Sequence, residues 1–309
     1  MKSMPLFYYP TQAVWVDDDE LFLQSGSDRY KNIFNIRTFS SPQECLEALN
    51  NPATSASLSL LSGSSEHENY DLIDHMPVDI NLDSIYALKN NDKRFQDVSV
   101  IIVDYNMPGK TGIELCYELR DLPIKKILLT GEAAHRLAVE AFNKGIIDCF
   151  IRKDDPMLAA ELTGYIQKLQ LQYFVDLSCP LLSHLEVDYK LPQSDPQFFD
   201  FFEIWIKENN IREYYLLDKN GTFLTKNQHD EVKYFIAHTD RSLDIFSNLY
   251  AEDRDVSGFV DAVNQRKKIP FFGFKSESWH YESNQWSNHF YSPNLLNGRE
   301  KYYWAVVSE

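Results

Sequence analysis

Acidic residues stand where two short apolar runs end. Val14-Trp15-Val16 leads into Asp17-Asp18-Asp19, and Ile101-Ile102-Val103 leads into Asp104-Tyr105-Asn106-Met107-Pro108-Gly109. Carboxylates gathered in one place repel each other and raise each other's pKa unless a cation joins them. A hard divalent ion with oxygen ligands, such as Mg²⁺, is the natural partner. Two further runs end in complementary groups: Leu129-Thr130 supplies a hydroxyl, and Phe150-Ile151-Arg152-Lys153 an ammonium. Three carboxylates, a hydroxyl and a lysine would then converge on one rim.

Such groups meet only if the runs are neighbouring strands. Five β-rich stretches alternate with helical patterns: Ala13–Val16, Ile36–Phe39, Val98–Val103, Lys126–Leu129 and Cys149–Arg152. Alternation of this kind predicts βαβ units around a parallel sheet. The third and fourth runs are apolar without alternation, as strands covered on both faces are. Ligands of open α/β sheets bind beyond the carboxyl ends of the strands, at the point where strand order reverses.

This set, in this order, resembles the receiver domain of bacterial response regulators over residues 12–174. The resemblance implies a flavodoxin-like doubly wound five-stranded sheet. It makes Asp104 the phosphoryl acceptor, and it implies that Asp18 binds Mg²⁺ directly, Asp17 through water and Asn106 by its backbone carbonyl. Thr130 becomes the switch hydroxyl, Lys153 the phosphoryl-contacting lysine and Phe150 the switch aromatic. Two departures stand out. The proline usual after the lysine is absent, and a gapless count from Gly145 selects Arg152; the aromatic-to-lysine spacing selects Lys153. The implied donor is a sensor histidine kinase or phosphotransfer protein, and the helix after the fourth strand, the fifth strand and the following helix are expected to read out the change.

The expected receiver spans 1–176 with an insertion at 51–94, where a Ser/Thr/Asn-rich stretch precedes a short helix, Leu82-Asp-Ser-Ile-Tyr-Ala-Leu-Lys-Asn90. Its last helix starts near Asp155-Pro156. There Leu162, Ile166, Leu169, Tyr173 and Leu177 form a stripe that fits core packing or a seam between the subunits of a homodimer, with core the default. Pro180 is expected to end this helix, and 177–195 to form an extension and linker.

The remainder, 196–309, reads as a smaller α+β domain with a mainly antiparallel sheet. Asp195-Pro196 predicts a helix start, and Phe198, Phe201, Phe202 and Trp205 its buried face. Asn220-Gly221 predicts a hairpin. Strands are expected at Val232–His238, Ile269–Phe274 and Tyr302–Ser308, with one or two helices between Arg241 and Lys268. Asp218-Lys-Asn-Gly221 reads as a turn rather than a calcium loop, Gly109-Lys110-Thr111 as a chance likeness to a phosphate-binding loop, and the scattered histidines as surface or core residues.

Composition narrows the output. There are 46 acidic and 30 basic residues, a net charge of −16, and both halves are acidic: 26 against 16 up to residue 180, 20 against 14 beyond. A nucleic acid partner is not expected. Neither a signal peptide nor a membrane span is legible, and the four scattered cysteines suit a reduced, cytoplasmic protein. The expected output is a protein- or ligand-binding module, with an enzyme or nucleotide-binding domain as the alternative.

Overall fold

The structure, a computed structural model, describes residues 4–50, 82–131, 134–185, 192–273 and 281–308. The Ser/Thr/Asn-rich part of the insertion, Glu132, residues 186–191 of the extension and linker, Trp279 and His280 lie outside these residues. The chain divides into two compact units, Tyr9–His75 with Leu88–Pro180, and Met1–Tyr8 with Met76–Ala87 and Leu181–Glu309.

The first unit holds five parallel strands: β2 (Gln12–Val16), β3 (Asn35–Phe39), β4 (Val98–Asp104), β5 (Lys125–Thr130) and β6 (Cys149–Arg152). Their order is β3-β2-β4-β5-β6, so the strand order reverses between β2 and β4. Alternate side chains of each strand face opposite sides. Val14, Val16, Ile101, Val103 and Leu128 join Leu46 of α2 (Pro42–Leu49), Leu115 and Cys116 of α4 (Gly112–Glu118), and Ala138 and Ala141 of α5 (His135–Asn143). Trp15, Val100, Ile102, Ile127 and Leu129 join Leu23 and Tyr30 of α1 (Glu20–Tyr30), and Leu162, Ile166 and Leu169 of α6 (Leu158–Leu185). Both faces are covered, which is why the central strands are uniformly apolar.

All five residues of the α6 stripe, Leu162, Ile166, Leu169, Tyr173 and Leu177, are buried within the chain. Core packing therefore accounts for them. Pro180 does not end the helix, contrary to the sequence reading, since α6 continues to Leu185. Proline has no N–H for the carbonyl four residues back, a penalty of about 3 kcal/mol in an unsupported helix. Buried Leu177 and Ser178, whose hydroxyl donates to the Phe174 carbonyl at 2.7 Å, hold the helix as it approaches that point.

The second unit is built on a six-stranded sheet ordered β1-β7-β8-β9-β13-β12, antiparallel throughout. Its strands are β1 (Phe7–Tyr8), β7 (Ile211–Leu216), β8 (Phe223–Asn227), β9 (Val232–Thr239), β12 (Asn294–Asn297) and β13 (Lys301–Ser308). Helix α7 (Pro196–Glu208) starts at Asp195 as expected, its carboxylate accepting from the Gln197 amide at 2.9 Å. Phe198, Phe202 and Trp205 are buried, with Phe202 4.6 Å from Phe223 and 5.1 Å from Phe235, ring centre to ring centre. Phe201 is only half-buried. The Asn220-Gly221 turn forms on Asp218, whose Oδ1 accepts from the amides of Asn220 and Thr222, with Gly221 at φ 92°. Two helices, α8 (Asp240–Leu249) and α9 (Ser257–Asn264), fill the stretch between β9 and Lys268.

Among the described residues, three strands were not expected from sequence: Phe7–Tyr8, Phe290–Tyr291 and Asn294–Asn297. The strand expected at Ile269–Phe274 is confined, among the described residues, to Ile269–Pro270. Met1–Tyr8 and Met76–Ala87, the latter carrying most of helix α3 (Leu82–Leu88), group with the C-terminal residues.

Candidate functional site

The carboxyl ends of β2, β4, β5 and β6 bring the chemistry together within the first unit. Asp17 follows β2 directly, its amide bonded to the Phe39 carbonyl at 3.2 Å, and its side chain is fully buried. Asp104 closes β4 and is buried, 6% exposed. Asp18 is exposed. One oxygen from each of Asp17, Asp18 and Asp104 can lie within 4.8 Å of the others. Asp19 has a different task, capping α1 by accepting from the Leu21 and Phe22 amides at 3.0 and 3.1 Å.

Lys153 joins the cluster. Its Nζ lies 2.7 Å from Asp17 Oδ2 and 2.9 Å from Asp104 Oδ1. Arg152 points elsewhere, making a bidentate pair with Asp154 at 2.9 and 2.6 Å. Of the two neighbouring cations, Lys153 is the one placed among the carboxylates. Burial raises the pKa of Asp17, and the Lys153 ammonium and the Asp19 amide only partly oppose this. Burial alone would lower the pKa of Lys153; its contacts with Asp17 and Asp104 outweigh that and raise it.

The donor set fits a hard divalent cation. Asp17 Oδ2 is buried and, despite the nearby ammonium, accepts no hydrogen bond of normal geometry. Three carboxylates are gathered against one ammonium, an excess of acidic groups that a divalent ion would balance.

The remaining expected residues have their own partners. Thr130 is fully buried on β5, and its hydroxyl donates to the Gly131 carbonyl at 3.1 Å. The Lys153 amide donates to the Thr130 carbonyl at 2.9 Å, so the two residues are tied through the backbone. Phe150 is half-buried, edge-on to His135 and Phe142 at 5.4 and 6.4 Å between ring centres. The amide of exposed Asn106 donates to Asp104 Oδ2 at 3.2 Å.

Gly109-Lys110-Thr111 is no phosphate loop: Thr111 caps α4 in a reciprocal pair with Glu114, and Lys110 pairs with Glu118 at 2.7 Å. Two residues at the site escaped the sequence reading. Gly112 opens α4 directly against the backbone of Asp104, its amide donating to the Tyr105 carbonyl at 2.9 Å. Phe22 lies one helical turn beyond Asp18, with its ring centre 4.9 Å from Lys153 Nζ. No spacing in the sequence marks Phe22, and nothing short of the close approach of α4 to β4 marks Gly112.

A doubly wound parallel sheet with carboxylates and a lysine on its carboxyl rim has the form of a receiver domain, and the second unit carries a separate antiparallel sheet. The family profile of the response regulator receiver domain matches residues 73–167. The Legionella pneumophila response regulator LqsR is 30% identical, and the match covers 100% of this chain and 91% of that one with a TM-score of 0.79. This chain belongs to the response regulators. Partial likenesses include an adenylate cyclase from Rhodopirellula baltica (22% identity, 56% of this chain and 96% of that one, TM-score 0.39) and a receiver domain protein from Clostridium thermocellum (18%, 52% and 94%, 0.34). No curated protein matches the sequence.

Proposed function

We propose that Asp104 accepts a phosphoryl group from the phosphohistidine of a sensor histidine kinase or phosphotransfer protein, and that the acyl phosphate switches the C-terminal unit. The observation that carries this reading is the bridging of Asp104 and buried Asp17 by the Lys153 ammonium at 2.9 and 2.7 Å. An Asp104 oxygen attacks phosphorus as the P–N bond to histidine breaks, and the imidazole leaves with the bonding pair. Lys153 neutralises charge on the equatorial oxygens, the main demand that phosphoryl transfer makes of a protein. Asp17, Asp18, Asp104 and the Asn106 carbonyl would hold Mg²⁺, which supplies further charge neutralisation at the phosphoryl oxygens. Thr130 trades its bond to Gly131 for the new phosphoryl oxygens, and Phe150 repacks from its present place against His135 and Phe142.

For the output we favour a protein- or ligand-binding module acting in the cytoplasm without nucleic acid, supported by the acidity of both halves. No helix among the described residues is long and apolar enough to cross a membrane. Phosphorylation-driven homodimerisation remains part of the reading. It has to use exposed side chains of the same elements, such as Leu137 and Phe142 of α5, because the α6 stripe is buried.

The test is labelling with acetyl phosphate or a cognate kinase. One hydroxylamine-labile phosphate is expected, lost in Asp104→Asn and in excess chelator; its persistence in either would overturn the assignment. Mg²⁺ titrations followed by Trp15 fluorescence should show Asp18→Ala weakening affinity more than Asp17→Ala. Light scattering with and without a stable phosphoryl mimic tests the dimer, and equal dissociation constants would remove it.

A further inference from the structure

Lys153 meets two carboxylates, and Phe22 presents its ring to the same ammonium at 4.9 Å. The negative face of an aromatic ring attracts an ammonium ion, more strongly where water is partly excluded. Lys153 is 29% exposed, so its head group is partly withdrawn from solvent.

The ring is itself held in place. Its backbone amide is fixed by the Asp19 cap at 3.1 Å. Trp15 meets it edge to face, 5.5 Å between centres with an interplanar angle of 88°. Trp15 is 2% exposed and packs on Tyr30 at 6.1 Å. Gly26, one turn further along α1, leaves room for the indole: a Cβ there would lie 2.5 Å from Trp15 Cζ3. Gly26, Trp15 and Phe22 thus form a packed series that ends on the Lys153 ammonium.

We infer that Phe22 is a positioning residue for phosphoryl transfer, holding Lys153 over Asp104 through a cation–π contact. This rests on the reading of Asp104 as the phosphoryl acceptor. The carboxylates alone do not fix the ammonium during a cycle, because a bound cation would draw on the same Asp17 and Asp104 oxygens and phosphorylation turns one Asp104 oxygen into the acyl phosphate linkage. The ring is a partner for Lys153 that neither change removes. It keeps the ammonium from swinging into solvent at the moment it is needed.

The experiment uses the full chain with acetyl phosphate and Mg²⁺. Phe22→Leu, similar in bulk but without the ring, should slow labelling of Asp104 about three- to tenfold, while Phe22→Tyr stays within about twofold of the parent. In a Lys153→Met background, Phe22→Leu should add no further slowing. An equal factor in both backgrounds, or no slowing in the parent, would overturn the inference. Urea midpoints of the variants separate a folding defect from a positioning one. A second readout needs no phosphorylation: the Cε protons of Lys153 should lose a ring-current shift in Phe22→Leu and keep it in Phe22→Tyr. An unchanged resonance sinks the contact even if Asp104 is labelled. A changed resonance in a protein that takes no phosphate would instead sink the acceptor reading.

Discussion

A Cβ placed on Gly112 would lie 2.2 Å from the carbonyl oxygen of Asp104 and 2.9 Å from Leu128 Cδ1. Neither can retreat cheaply, since one is strand backbone and the other belongs to a fully buried side chain. Gly112→Ala is expected to lower stability by about 1–3 kcal/mol through overpacking. It should also slow labelling of Asp104, though residue 112 never touches the phosphoryl group. Urea unfolding and labelling rates check both, and parent-like values would show that α4 can shift outward without disturbing β4.

Lys153 and the adjacent Arg152 should separate cleanly. Lys153→Met is expected to reduce the labelling rate about a hundredfold, the order of effect seen when a charge-stabilising donor is removed from a transition state. Arg152→Ala should stay within about twofold, because that guanidinium is exposed and occupied by Asp154. A reversed ranking would move the essential cation one residue back.

Asp195 is 1% exposed and accepts from three donors: the Gln197 amide at 2.9 Å, the Arg299 amide at 2.6 Å and the Tyr302 hydroxyl at 2.9 Å. It joins the start of α7 to the β12–β13 turn. Asp195→Ala should destabilise the protein by about 3 kcal/mol, combining a lost helix cap with stranded donors. Asp195→Asn, which retains an acceptor, should lose less. Denaturant titration followed by tryptophan fluorescence gives both values, and equal losses would show that the charge carries the whole effect.

His238 is half-buried, one ring nitrogen 2.9 Å from the Pro270 carbonyl and the other 3.2 Å from the Ser242 hydroxyl. Burial lowers its pKa below the ordinary 6.5, against the Asp218 charge and the Pro270 carbonyl. The folded state therefore holds a proton less readily than the unfolded chain. The stability from neutral His238 is complete above the ordinary value and is lost as pH falls through the lowered one. His238→Gln should show a flatter decline in unfolding free energy than the parent between about pH 7 and 5. Parallel curves would mean that other groups set this slope.

Much of the acidic cluster and its lysine was legible because each component sits at the end of an apolar run. Once Val14–Val16 and Val98–Val103 are adjacent parallel strands, Asp17 and Asp104 must meet. The choice of Lys153 over Arg152 was legible from its distance to Phe150. Phe22 was not, because its role depends on the phase of α1 and on the packing of Trp15 against Gly26. The strand at Phe7–Tyr8 was hidden for another reason: two residues show no periodicity, and their partners lie far along the chain. Pro180 misled because a local rule about hydrogen bonding gave way to tertiary packing along α6.

Strand β1 also bears on the order in which the protein is made. Phe7 pairs with Tyr215, 208 positions later, and the Leu216 amide bonds to the Leu6 carbonyl at 2.8 Å. Every strand of the parallel sheet leaves the ribosome before β7 does, so that sheet can close while Leu6 and Phe7 still lack their partners. Both residues are fully buried in the finished molecule. Early in synthesis they form an apolar segment waiting for a strand, an opening for chaperone capture or for pairing with another nascent chain. Completion of the antiparallel sheet therefore requires a long-range closure, the kind of step that slows folding.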